Sequence, residues 1–398
     1  MNYQDIFTQN IQNIKNERRY RDFRVIKKIK SNYPVSKILN PEKDIAIWCS
    51  NDYLGMSIND CVIDSFIQCA KISGVGSGGT RNISGNTNEI DKLEKKIAKF
   101  HNKESGLVFT SGYISNLTTI SAIISIIPDI IIFSDEKNHA SIISGIRHNN
   151  AKKHIFRHND YVHLEELISQ YSKNIPKMII FEGVYSMDGS VPSIYRIIEI
   201  AKKYNSMTYI DEVHAVGLYG KGGSGIANHF GMENEIDIIQ GTFGKSFGVI
   251  GGYITCKNAI ADAIRLNGSG FIFTTSLPPA ICAAISKSID IVSSKDGDEL
   301  RRKHFEIVNY IKESLRHNNI NFLQSDIINT HIIPVMINDA KKAEEISKKM
   351  QDEFLIYVQN INYPTVPKNS ERLRITCSPL HTKEMANKLC EGLKSVIH

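Results

Sequence analysis

Three short stretches and one histidine bring together side chains that could do chemistry. Asp211-Glu-Val-His214 closes one apolar run, and Thr242-Phe-Gly-Lys245 follows the end of a later one. Thr110-Ser-Gly-Tyr113 follows a third apolar run and opens a helical pattern, and His139 lies in Asn138-His-Ala140. An acid, an imidazole, a lysine between Gly244 and Ser246 and a hydroxyl-bearing helix start together suit pyridoxal phosphate. The cofactor aldehyde needs an amine for a Schiff base, and Lys245 in its small-residue setting supplies one. The pyridine nitrogen must stay protonated for the ring to accept electrons, and Asp211 is placed to hold that proton. His214 could hydrogen-bond the ring oxygen, and His139 could stack a flat face on the ring. Ser111, Gly112 and Tyr113 at a helix start make an anion site for the phosphate, to which Thr242 could add a hydroxyl.

Each of these residues has an ordinary alternative. Lys245 could be a surface lysine, Asp211 a strand-end cap, His139 and His214 satisfied loop groups, and Ser111 and Gly112 a turn and N-cap. Their joint order along the chain, each beside a strand end, favours chemistry. Gly74-Val-Gly-Ser-Gly-Gly79 matches a dinucleotide-type glycine pattern, but a helical pattern precedes it where a strand is required, so it reads as a flexible loop.

The elements that must position these groups follow from periodicity. Short apolar strands are expected at 106–110, 130–134, 177–182, 207–211, 236–240 and 252–256, with helices such as 193–204 between them. That alternation predicts an α/β fold with a large, mostly parallel sheet, whose ligands sit at the strands' C-terminal ends. Before it, a polar helix is expected over 3–20, an irregular stretch with Pro34 and Pro41 as breakers over 25–44, a short strand at 45–49, and helices at 60–72 and 88–101. After 291 the pattern changes to helices 300–318 and 340–354, strands 357–359 and 372–376, and a last helix from 382, a smaller α+β C-terminal domain. The expected division is an N-terminal helix and arm (1–45), a large cofactor-binding domain (46–290) and a small domain (291–398).

Bulk properties exclude several classes. A net charge of +6 spread over 398 residues gives no concentrated basic face for nucleic acid. Seven cysteines with no C-x-x-C pair indicate neither a disulfide framework nor a metal site. The apolar run 117–133 is broken by Pro128-Asp129, so no membrane span is expected. The N-terminus has no hydrophobic signal core, and a cytoplasmic location is expected.

Longer motifs carry a resemblance. Gly78-Gly-Thr-Arg-Asn-Ile-Ser-Gly85, Phe109-Thr-Ser-Gly-Tyr113, Asp211-Glu-Val-His-Ala-Val-Gly217 and Gly241-Thr-Phe-Gly-Lys245 resemble the α-oxoamine synthase family of pyridoxal-phosphate enzymes. Trp48-Cys-Ser-Asn-Asp-Tyr-Leu-Gly55, Phe156-Arg-His-Asn-Asp160, Val184-Tyr-Ser-Met-Asp-Gly189 and Phe271-Ile-Phe-Thr-Thr-Ser-Leu-Pro-Pro279 are most similar to its branch that uses glycine and succinyl-CoA. The resemblance runs from about residue 20 to the C-terminus. It implies a fold-type-I homodimer whose active sites draw on both subunits. By the same resemblance Lys245 is both Schiff-base lysine and proton-transfer base, Asp211 pairs with the pyridine nitrogen, His139 stacks, and His214 and Ser186 flank the polar edge of the ring. Gly112, Tyr113 and Thr242 would hold the phosphate, with Thr274 and Thr275 reaching across from the other subunit. Arg374 would grip the glycine carboxylate, Arg21, Thr80 and Asn82 the far carboxylate of the succinyl group, and Asn51 is a further substrate-binding position. Ser134, Lys153 and Thr365 match further substrate positions, and 357–374 resembles a mobile lid.

Departures from the family pattern are small: Gly183 where Ser is common, Phe243 and Ser246 beside the lysine, and Cys377 where Pro is common. Sister branches that use alanine with a pimeloyl thioester, or glycine with acetyl-CoA, share the cofactor residues. Arg21 and Thr80 favour the succinyl branch. A catalytically silent scaffold would be expected to lack Lys245, Asp211 or Arg374, and all three are present.

Overall fold

A computed structural model describes residues 2–39, 42–148 and 151–397. The N-terminal helix is shorter than its polar pattern suggests, Tyr3–Asn16. The stretch expected to be irregular instead holds β1 (Ile26–Lys28), β2 (Val35–Leu39) and the start of β3 (Glu42–Ile47), whose second half is the strand expected at 45–49; the three pair antiparallel. Lysines on the outer face masked the alternation. Ile38, Ile45 and Ile47 point inward while Lys37 and Lys43 stay outside. Pro34 immediately precedes β2, and Pro41 lies outside the described residues.

The central sheet has seven strands: β4 (Ser105–Phe109), β5 (Ile131–Asp135), β6 (Lys153–Phe156), β7 (Lys177–Glu182), β8 (Met207–Asp211), β9 (Ile238–Thr242) and β10 (Gly252–Cys256). Their order is β4-β10-β9-β8-β7-β5-β6. β5 to β9 run parallel, and β10 is antiparallel to both neighbours. The expected mostly parallel sheet is therefore present. Its strands read as continuous apolar runs because both faces are covered. Ile179, Phe181, Ile210 and Ile239 pack into one core, while Met178, Ile180, Tyr209 and Ile238 pack into another on the opposite face. β6 gave no signal in the sequence because it is a short, half-exposed edge strand. β9 lies two residues beyond the expected 236–240, since Asp237 turns aside to accept hydrogen bonds from the amide and hydroxyl of Thr208.

Four strands follow: β11 (Ile333–Met336), β12 (Ile356–Tyr357), β13 (Gln359–Ile361) and β14 (Arg372–Ile375). β13 and β11 flank β14 in an antiparallel sheet, whereas β12 joins β3 in parallel. The single strand expected at 357–359 thus divides at Val358 between two sheets. Trp48 packs with Val308, Ile333, Met350 and Leu389, so the segment after β3 shares a core with the C-terminal elements. The glycine-rich loop 74–79 follows the helix Asp60–Ser73, as its sequence context required.

In the sheet register Glu182 faces Asp211 and Asp211 faces Gln240. The C-terminal ends of β7, β8 and β9 therefore present Glu182, Asp211 and Thr242 side by side, where parallel sheets bind ligands.

Candidate active site

The turn after β9 brings Lys245 back over those strand ends. Its Nζ lies 2.8 Å from Nε2 of His214, and Nδ1 of His214 lies 2.8 Å from the Tyr53 hydroxyl. Burial is the main cause that pushes the Lys245 pKa down to about 7, with Arg374 adding to it and Asp211 opposing it. A large share of this amine is thus neutral near pH 7 and able to attack a carbonyl. Burial, then Lys245 and Arg374, hold His214 well below the usual histidine range, so it stays a neutral imidazole.

Asp211 is fixed by a buried network. Asn116 donates to its Oδ2 at 2.7 Å and the Val213 amide donates to its Oδ1 at 2.9 Å. Asn116 also donates to Ser141 Oγ at 3.0 Å and accepts from the Tyr209 hydroxyl at 2.7 Å. Ser141 in turn holds His139 Nδ1 at 2.7 Å, which sets the ring's orientation. Glu182, alongside Asp211, is raised well above the usual carboxylate range by burial and then by the Asp211 charge. It is therefore held toward its neutral form. Its Oε1 is buried with no protein partner.

Ser111 caps the helix Gly112–Ile126 by accepting from the Ile114 amide at 3.2 Å. A Cβ on Gly112 would come within 3.2 Å of Thr242, so a glycine lets the helix start approach β9. The Gly244 amide donates to Thr242 Oγ1 at 3.1 Å, tying the lysine turn to that start.

The sequence-derived residues fall into three groups. Gly112, Tyr113, His139, Asp211, His214, Thr242 and Lys245 line one cavity of about 130 Å³. His139, His214 and Lys245 also line an adjoining space of about 430 Å³ with Asn51, Ser186 and Arg374. There Arg374 donates from Nε to the Ser186 carbonyl (2.7 Å), from Nη1 to Asn51 Oδ1 (3.1 Å) and from Nη2 to the Tyr53 hydroxyl (3.2 Å). Arg21 donates to Thr365 Oγ1 at 2.9 Å beside a third cavity of about 500 Å³, which shares Gln359 and Ile361 with the second.

The structure does not bring the remaining candidates to Lys245. Thr80 bridges Thr275 in a separate cluster with Thr274, and Asn82 accepts from the Thr80 hydroxyl at 2.7 Å. Ser134 is buried in β5 and accepts from Asn138, while Lys153 is exposed on β6.

Three contributors escaped the sequence reading. Tyr53 was visible only as part of a motif, Asn116 sits inside an apolar helix pattern, and Glu182 was noted only as a strand end. A polar residue interrupting a buried apolar pattern was the available signal for Asn116.

The amine, the fixed carboxylate, the flat imidazole and the amide-lined helix start surround one cavity, and Glu182 Oε1 is left without a protein partner beside it. These residues fit pyridoxal phosphate. Comparison with known proteins agrees. The aminotransferase class I and II family model matches residues 43–393. A 5-aminolevulinate synthase of Rickettsia bellii is 49% identical over 394 residues, covering 99% of this chain and 94% of that protein. The 5-aminolevulinate synthase of Bradyrhizobium diazoefficiens is 44% identical over 398 residues, covering 100% and 96%. A solved variant of the serine palmitoyltransferase of S. paucimobilis, with a bound pyridoxal phosphate–myriocin aldimine, superposes with a TM-score of 0.90 at 26% identity, covering 98% and 96%.

Proposed function

The chain belongs to the aminotransferase class I and II family, and from that premise we propose that it condenses glycine with succinyl-CoA to give 5-aminolevulinate, CoA and CO2. That product is the first committed precursor of haem and other tetrapyrroles. The cofactor is pyridoxal phosphate, which when bound supplies an electron sink for negative charge at the glycine α-carbon. The observation that carries this reading is that Lys245 and Arg374 approach the same imidazole, His214, from opposite sides. A reactive amine and a guanidinium fork spaced by one ring suit an α-amino acid.

Each residue then has a task. Lys245 Nζ holds the cofactor and, once displaced, takes a proton from the glycine α-carbon and later returns one there. Its low pKa lets it do both near neutral pH. Asp211 would hold the proton on the pyridine nitrogen, and His139 would stack on the ring. Ser111, Gly112, Tyr113 and Thr242 would hold the phosphate. His214 and Ser186 flank the polar edge. Arg374, steadied by Asn51 and Tyr53, grips the glycine carboxylate. Arg21 and Thr365 receive the far carboxylate of the succinyl chain, and Lys153 and Ser134 belong to the substrate path.

Thr80, Asn82, Thr274 and Thr275 act in the second site of a homodimer. Ile72, Val75, Ile83 and Phe273, around that cluster, are 79–86% exposed, an apolar surface that a second copy would cover. Residues 46–290 hold the cofactor, 291–398 supply Arg374, and 1–45 supply Arg21. The protein acts in the cytoplasm. All seven cysteines are free, and among the described residues no helix is long and apolar enough to cross a membrane.

The sister activities, 8-amino-7-oxononanoate synthase and glycine C-acetyltransferase, lack the support of these relatives' names. Purified protein assayed for CoA release with glycine or alanine against succinyl-, acetyl- and pimeloyl-CoA separates them. Glycine with succinyl-CoA should be preferred, with 5-aminolevulinate as product. Preference for another pair overturns the assignment.

A further inference from the structure

The motif Phe156-Arg-His-Asn-Asp160 has no part in the chemistry above, and of Val184-Tyr-Ser-Met-Asp-Gly189 only Ser186 has one. The fold joins them through His158. Its Nδ1 lies 3.0 and 3.1 Å from the two carboxyl oxygens of Asp135, and its Nε2 lies 2.8 Å from Ser190 Oγ. The Tyr185 ring stands edge-on to it with centroids 4.4 Å apart.

The loop so anchored carries the backbone that holds the substrate arginine. The Tyr185 amide donates to the Ser190 carbonyl and the Gly189 amide to the Tyr185 carbonyl, both at 3.0 Å, which closes 185–190 into a tight turn. From that turn the Ser186 carbonyl accepts Arg374 Nε at 2.7 Å and the Met187 carbonyl accepts Arg372 Nη1 at 3.2 Å.

The partners of His158 are themselves held in place. The Ser190 hydroxyl donates to Asp188 Oδ1 at 2.6 Å, which also receives the Ser190 amide. Lys137 lies 2.6 Å from the other Asp188 oxygen. Asp135 takes the amides of Lys137 and Asn159 on its two oxygens, so both groups that meet the His158 ring are anchored to backbone.

We propose that His158, bridging Asp135 and Ser190 through its two ring nitrogens, is a positioning residue that locks the 185–190 turn so that Arg374 meets the amino-acid carboxylate. The proposal rests on the reading of Arg374 given above, and it names the support of that site. His158 touches neither cofactor nor substrate.

Steady-state kinetics of two variants, with glycine and succinyl-CoA varied separately, test it. In the holoenzyme, Ser190→Ala and His158→Gln should raise KM for glycine about tenfold. Their kcat, KM for succinyl-CoA and cofactor absorbance should stay within about twofold of wild type. An unchanged glycine KM, or a loss confined to kcat, overturns it. A wild-type protein with no response to glycine overturns the functional reading, whereas a wild-type protein that uses glycine and variants that use it equally well overturn the turn lock alone.

Discussion

Lys245 Nζ and His214 Nε2 stand 2.8 Å apart, and both groups are held towards their neutral forms chiefly by burial. The contact is a hydrogen bond between a nucleophile and a neutral ring, with no ion pair to hold the amine in its charged form. In the cofactor-free protein, reductive methylation of Lys245 followed by peptide mass spectrometry should show a pH midpoint near 7, far below the ordinary lysine value of 10.5. The sign for stability follows. Between those two values the unfolded chain binds more protons than the folded one, so the Lys245 contribution favours folding more as pH rises from about 7 toward 10.5. Lys245→Met should flatten that part of the stability profile. A reactivity midpoint near 10 would contradict the burial argument.

Asn116 spends both amide hydrogens and its carbonyl on Ser141, Asp211 and Tyr209. Asn116→Ala strips Asp211 of a charge-assisted hydrogen bond and releases the residue that orients His139. Turnover should fall about tenfold or more, with weaker cofactor retention measured by equilibrium dialysis, because such a bond contributes about 1.5–3 kcal/mol. Wild-type turnover and retention in this variant would remove Asn116 from the site.

Arg374 meets the Ser186 carbonyl, Asn51, Tyr53 and His214 through a planar fork. Arg374→Lys keeps the charge but cannot reproduce that geometry. KM for glycine should rise roughly 100-fold, on the order of 2–3 kcal/mol, while KM for succinyl-CoA changes little. Steady-state kinetics with each substrate varied separately checks this. A larger effect on the thioester would reassign the arginine.

The exposed patch around Thr80 and Thr275 makes a different prediction. Ile83→Glu with Phe273→Glu should convert a dimer to a monomer in sedimentation experiments and abolish turnover, since each site would lose residues from its neighbour. A wild-type protein that sediments as a monomer and is active would overturn the shared-site proposal.

The sequence made the catalytic groups legible because their chemistry is local. A lysine among small residues and an acid at a strand end each declare themselves within four positions. The partners that tune them are dispersed. Tyr53, Asn116 and Glu182 come from a loop, a helix and a neighbouring strand, and only the strand register brings Glu182 against Asp211. The N-terminal strands β1 and β2 and the start of β3 were hidden because β1 is exposed throughout, while β2 and β3 bury only one face and the other carries lysines. β12 and β13 read as one strand because the chain changes sheets within a single residue, Val358.

The most direct test of the account is to trap the cofactor where it binds. Purified protein loaded with pyridoxal phosphate is reduced with borohydride, digested and mapped by mass spectrometry. A pyridoxyl-phosphate adduct on Lys245, absent from Lys245→Ala along with the visible absorbance, is the predicted result. An adduct on another lysine, or full visible absorbance and turnover in Lys245→Ala, would contradict it.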